Sequence, residues 1–204
     1  FNIAPMWHPL RLAEDYATAD ILTGGRIVFG VGRGYHTREV ETFGNPMTDQ
    51  VANRELFEEQ VEIIFKAFNE RSFSHHGKYY DIPPNVPYRG YDLKEISLVP
   101  RPKNLPVECW QPIQGGTERA LDFMAKYGIK GVIGGGVAEG GAMDSTMEDY
   151  RAALVRAGRK DAVLGEDLSV GLHFFLAETV EKGIELASKM YEENVKMFGP
   201  LRLH

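Results

Sequence analysis

Short apolar segments rich in β-branched residues alternate along the chain with longer stretches of helical period, the pattern of βα units laid on a parallel sheet. Five segments have strand character: Phe1–Pro5, Arg26–Val31, Pro106–Pro112, Lys130–Gly134 and Leu168–Ala177. A helix is expected after each. Leu12, Ala13, Tyr16, Ala17 and Ile21 recur at helical spacing until Gly24 and Gly25, where glycine can end the run. Phe57, Val61, Ile64, Phe65 and Phe68 share one face of a helix over residues 53–70, with Glu58, Glu59, Glu62 and Lys66 on the other side. Further helices are predicted over Thr117–Tyr127, over Ser145–Ala157 behind a Ser145/Glu148 capping box, and over Val180–Phe198 capped by Thr179.

Residues 71–106 break this rhythm, holding six of the eleven prolines together with Phe73, Tyr79, Tyr80, Tyr88 and Tyr91. So long a connection is either a lid or part of the binding face, or a surface excursion packed by its own aromatics. One domain over residues 1–204, with an irregular insertion at 71–106, is the expected organisation. An eight-fold barrel takes roughly 250 residues, so a barrel made from this chain would stop short at both ends.

Composition narrows the class. The 204 residues carry 23 Lys+Arg against 29 Asp+Glu, a net charge of −6, and 43% are hydrophobic, enough to fill a core. A single cysteine cannot pair internally, which excludes a disulfide-stapled module and points to a reducing, cytoplasmic setting. Basic residues are scattered among carboxylates, so no nucleic-acid surface is expected. Nor is a membrane partner, since no apolar run approaches the roughly 18 residues of a span. Phe1 opens a strand already under way, with no leader before it, and a piece of a longer protein is therefore expected.

Two glycine clusters carry the candidate chemistry. Gly30-Val31-Gly32-Arg33-Gly34 closes a strand, but Tyr35 stands where a dinucleotide fingerprint needs its third glycine, and no Gly-x-x-x-x-Gly-Lys-Ser/Thr occurs. The cluster is either a turn that needs glycine or a small-residue strand end from which Arg33 reaches an anion. Gln114-Gly115-Gly116-Thr117 lies between a strand and a helix, either as an ordinary cap or as an anion site made of free amides and a positive helix end. Both clusters sit at carboxyl ends of strands, hence on one face, and together they suggest a phosphate-bearing cofactor. A third loop, Gly134-Gly135-Gly136 with Gly140-Gly141, is either a simple connection or a cover over ligand.

His36 follows the first cluster with Glu39 and Glu41 nearby to orient it, and is the candidate catalytic residue. His75 and His76 are adjacent and cannot easily converge on one metal, so they are expected in solvent, with no metal site. His173 is expected inside a strand. No base partner makes Cys109 a nucleophile.

The segments His8-Pro9-Leu10-Arg11-Leu12-Ala13-Glu14, Ala19 to Arg26, Phe29-Gly30-Val31-Gly32-Arg33-Gly34, Glu41-Thr42-Phe43-Gly44, Arg54 with Glu58-Glu59, His76 to Tyr80 and Thr117 to Gly128 resemble the bacterial-luciferase-like flavin-dependent monooxygenases. The resemblance implies an α/β fold, a (β/α)8 TIM barrel of the luciferase-like type that is incomplete in this chain, binding FMN at its carboxyl face. It assigns the flavin phosphate to Arg33 and Thr117 with Gly115 and Gly116 beside it, and makes Gly32, Gly34 and Tyr35 cofactor contacts. Gly32 stands where luciferase has a cysteine. Two strands of the family would precede Phe1, one carrying a catalytic histidine, and a last βα unit would follow His204. By the same resemblance, reduced FMN from a separate flavin reductase reacts with O2 to oxygenate a small organic substrate, the 71–106 aromatics form part of its pocket, and the protein pairs as a homodimer. Two alternatives on the same barrel are hydride transfer with a deazaflavin and a non-catalytic flavin-binding relic.

Overall fold

The computed structural model describes residues 1–113, 116–135 and 140–198. In chain order the elements are β1 (Asn2–Ile3), α1 (Pro9–Leu22), β2 (Phe29–Gly32), α2 (Thr37–Val40), α3 (Gln50–Asn69), the short strands β3 (His75–His76), β4 (Asp81–Ile82), β5 (Val86–Tyr88) and β6 (Tyr91–Leu93), then β7 (Cys109–Ile113), α4 (Glu118–Tyr127), β8 (Lys130–Ile133), α5 (Met143–Arg156), β9 (Leu168–Val170) and α6 (Val180–Phe198). The main sheet runs β1-β2-β7-β8-β9, every pair parallel and every main-sheet neighbour next in chain order. That order, with a helix after each strand, is the arc of a βα barrel.

Strand alternation divides the sheet into two faces. Phe29, Val31, Cys109, Ile113 and Ile133 are buried in one core with Leu12 and Tyr16 of α1, Phe57, Val61, Ile64 and Phe68 of α3, Leu121 and Met124 of α4, and Tyr150 and Leu154 of α5. Tyr16, Phe29 and Phe68 form a ring cluster with centroids 4.9 to 5.6 Å apart. The alternate residues Asn2, Gly30, Trp110, Val132 and Ser169 line an open surface together, the concave side of the arc.

Several boundaries differ from the sequence-based expectation. β1 is cut to two residues because Pro5 sits in a 3-10 turn over Ala4–Met6. The last strand ends at Val170 rather than Ala177: its neighbour β8 stops at Ile133, so residues past the Gly171 amide, which still donates to Ile133, have no ladder to join. His173 accordingly lies outside a strand and is exposed. The Ser145/Glu148 capping box does not form, because α5 starts at Met143 and Ser145 lies within its first turn, its hydroxyl donating back to the Ala142 carbonyl. Thr179 does cap α6, accepting the Lys182 amide at 3.2 Å.

Residues 71–106 form two small hairpins and a Phe73–Ile96 bridge folded back along α3. Glu59 of α3 holds this excursion: its carboxylate accepts the amides of Lys78, Tyr79 and Tyr80 at 2.8 to 3.1 Å. His75 is buried rather than solvated, its Nε2 3.2 Å from the same carboxylate. Cys109 is buried and desolvation pushes its thiol up to about 12, so it has no nucleophilic character.

Candidate active site

Parallel pairing of β2 with β7, in the register Phe29↔Cys109 and Gly30↔Trp110, brings the carboxyl ends of these strands side by side. A cavity of about 490 Å³ opens there, within the size range of small-molecule sites. Its walls include Gly32, Arg33, Gly34 and Tyr35 after β2, Gln111 and Ile113 on β7, Gly116 before α4, Glu39 on α2 and Arg54 on α3. The two glycine clusters therefore meet in one cavity.

Arg33 is set in place from α3. Asn53, fully buried, donates to the Arg33 carbonyl at 3.2 Å and to the Pro46 carbonyl at 2.9 Å, and Arg33 Nη2 donates to Gln50 Oε1 at 3.3 Å. The other guanidinium nitrogen, Nη1, is buried without a hydrogen-bond partner. Among the described residues Arg33 forms no ion pair. Burial, and secondarily the neighbouring Arg54 guanidinium, disfavour its charged form and lower its pKa, while Glu58 opposes them. An unpartnered buried cation donor is costly and is relieved by an anion.

Each glycine has its own cause. Gly34 has φ +85°, and a Cβ there would lie 2.5 Å from Val40 Cγ2, so the turn itself requires glycine. Gly32 is different: a Cβ there would meet nothing nearer than the Asn2 carbonyl oxygen at 4.0 Å. Packing leaves room for a side chain at 32, and that room is cavity. At Gly116 a Cβ would press on Leu121 Cδ1 at 2.9 Å. Thr117 is the N-cap of α4 through its carbonyl, which accepts from Ala120 and Leu121, while its hydroxyl makes no capping bond. Thr117 is not among the residues lining the cavity, and Gly115 lies outside the described residues, as do Gln114 and, in the third glycine loop, Gly136.

His36 is not in the cavity wall either. Its Nδ1 accepts the Glu39 amide at 3.3 Å as N-cap of α2, its Nε2 lies 3.4 Å from Glu39 Oε1, and the Tyr35 ring packs on it edge-on at 5.0 Å. The sequence suggests that Glu39 orients His36. The structure pairs the two, and it is Glu39 that lines the cavity, its Oε2 buried and without a hydrogen bond. Gln111 Oε1 is likewise buried without a partner. Neither glycine motif points to Arg54 or Gln111, which come from separate elements; the one local hint is a cation close to the start of a helix, where the dipole disfavours it.

Three residues of the cavity wall, Arg33, Glu39 and Gln111, thus carry one buried donor and two buried acceptors without partners, a set that suits a ligand with an anionic end and N–H or O–H groups along its length. None of residues 71–106 lines it; the excursion instead packs on α3, with Phe73, Ile82 and Leu98 buried in the core.

Comparison with known proteins gives one consistent picture. The luciferase-like monooxygenase family profile matches residues 2–200. An FMNH2-dependent dimethylsulfone monooxygenase of Pseudomonas putida is 27% identical over 200 residues, 95% of this chain and 51% of its own. A crystal structure of a monooxygenase from Streptomyces bottropensis superposes with a TM-score of 0.75 at 21% identity, over 97% of this chain and 55% of that one. An F420-dependent secondary alcohol dehydrogenase in complex with an F420–acetone adduct superposes at 0.65 and 16% identity, over 88% and 49%. The chain spans about half the length of these proteins. Among the described residues no helix is long and apolar enough to cross a membrane.

Proposed function

The chain belongs to the luciferase-like monooxygenase family, and from that premise we propose that its cavity binds FMN by the phosphate and serves flavin-dependent oxygenation of a small organic substrate. The observation that carries this reading is that Arg33, whose Nη1 is buried and unpartnered, lines the same cavity as Gly116 at the entry to α4. Arg33 and the amides opening α4 hold the phosphate, with the Thr117 hydroxyl free to turn toward it. Glu39 Oε2 and Gln111 Oε1 accept hydrogen bonds from the ligand's N–H and O–H groups. Gly32 leaves space for the ring system, and Gly34 and Tyr35 shape the wall beside it. His36 contributes by holding Glu39.

Reduced FMN, supplied by a separate cytoplasmic reductase, brings the electrons that activate O2; the chain's own share is binding, orientation and exclusion of water. The second reading is hydride transfer with a deazaflavin, favoured by the dehydrogenase that shares the fold. Titration of the protein with FMN and with the deazaflavin separates the two. FMN binding with a shifted visible spectrum, and O2 consumption once the bound flavin is reduced, is the expected result. Preferential binding of the deazaflavin, without O2 consumption, overturns it.

Gly32 gives an independent check. Gly32→Leu is expected to fold with unchanged or slightly higher stability, since its Cβ meets no close neighbour, yet to bind FMN at least about tenfold more weakly because the side chain fills cavity space. Thermal melts and flavin fluorescence titration read the two effects separately.

A further inference from the structure

Outside the cavity, one carboxylate stands between two cations. Glu58 on α3 meets Arg119 in the first turn of α4, Oε2 to Nη2 at 2.6 Å, while its Oε1 is 3.9 Å from Arg54 Nη1 one helical turn back. Oε1 is buried and has no hydrogen bond. Arg54 lines the cavity; Glu58 and Arg119 do not, and the Arg119 side chain is 56% exposed. A carboxylate with a bare oxygen beside a guanidinium at i,i+4 would ordinarily close onto it. Here that pair is long, an ion pair at 3.9 Å without a hydrogen bond, while the other oxygen of the same carboxylate makes a 2.6 Å hydrogen bond to Arg119 on the neighbouring helix.

We propose that Arg119, from outside the cavity, holds Glu58 off Arg54 and so keeps a second guanidinium of the anion site open to a phosphate-bearing ligand. The inference rests on the phosphate-site reading given above. If Arg119 is removed, Glu58 turns its freed oxygens onto Arg54, and an incoming phosphate must compete with an internal anion for that cation. The loss should therefore depend on Glu58. Arg119 is a positioning residue in this scheme, touching no ligand, and its link to Glu58 also ties α4, whose entry shares the cavity with Arg33, to α3, which carries Arg54.

The test is a double-mutant cycle on Arg119→Ala and Glu58→Gln, read as binding of FMN and of riboflavin, which lacks the phosphate. Arg119→Ala alone is expected to weaken FMN binding about 3- to 10-fold and leave riboflavin unchanged. In the Glu58→Gln background the same substitution is expected to change neither, because the competing charge is gone. Equal FMN losses in both backgrounds would mean that Arg119 attracts the ligand directly at long range and would overturn the proposal, as would no loss in either. Thermal melts of the four proteins show whether each is folded, and the Glu58-dependence of the FMN effect is a readout that a lost helix-helix contact would not produce. Should the wild-type protein bind FMN no better than riboflavin, the phosphate-site reading itself falls and this inference with it; discrimination in the wild type with no effect of Arg119→Ala sinks the inference alone.

Discussion

Replacing Arg33 by Gln is expected to cut FMN affinity by about 10- to 100-fold, the scale of one lost charge-assisted hydrogen-bond pair, while riboflavin binds as before. The same substitution is expected to leave the melting temperature of the ligand-free protein unchanged or to raise it. That pairing follows from the geometry: without ligand, Nη1 is a buried donor with no acceptor, and burial and Arg54 both work against the charge. A residue kept for folding would show the opposite, a fall in stability and equal losses for the two flavins. Calorimetric titration with each flavin, beside a thermal melt, distinguishes the cases.

The largest stability effect is expected at Glu59, which does not line the cavity. Its carboxylate side chain is 11% exposed and gathers the amides of Lys78, Tyr79 and Tyr80 together with the ring of His75. Glu59→Ala leaves those donors without an acceptor and should destabilise the protein by about 2–4 kcal/mol, equivalent to a fall of roughly 5–12 °C in Tm. Glu59→Gln retains one acceptor oxygen and should lose less than half as much. Urea unfolding of the three proteins measures the order. An unchanged midpoint for Glu59→Ala would show that water replaces the carboxylate and that the 71–106 excursion is held by its apolar residues.

What could be seen in the sequence follows from how local each signal is. The helical face of α3 was plain because Phe57, Val61, Ile64 and Phe68 bury one stripe, and period alone encodes that. The glycine clusters marked the right strand ends, since parallel strands that are neighbours in the sheet present their carboxyl ends together. Strand ends were less legible: whether residues beyond Gly171 pair is decided by where β8 stops, not by their own β-branched content. The Ser145/Glu148 pattern failed for a similar reason, as α5 gains a turn's start from Ala142 and Met143 before the motif is reached. At the site, Arg33 was visible from its motif, whereas Arg54 and Gln111 belong to it only through the packing of α3 and β7 around the same space. The sequence places His36 beside Glu39, but that Glu39 and not His36 lines the cavity follows the Nδ1 cap of α2, a bond that composition cannot specify.

The account rests on a phosphate held between the Arg33 guanidinium and the start of α4. Calorimetry of the unmodified protein with FMN and with riboflavin tests this most directly, because the two ligands differ only in that group. FMN bound at least tenfold more tightly, with the difference shrinking as salt is raised, is the result expected of a cationic pocket. Equal affinities at low salt would contradict it.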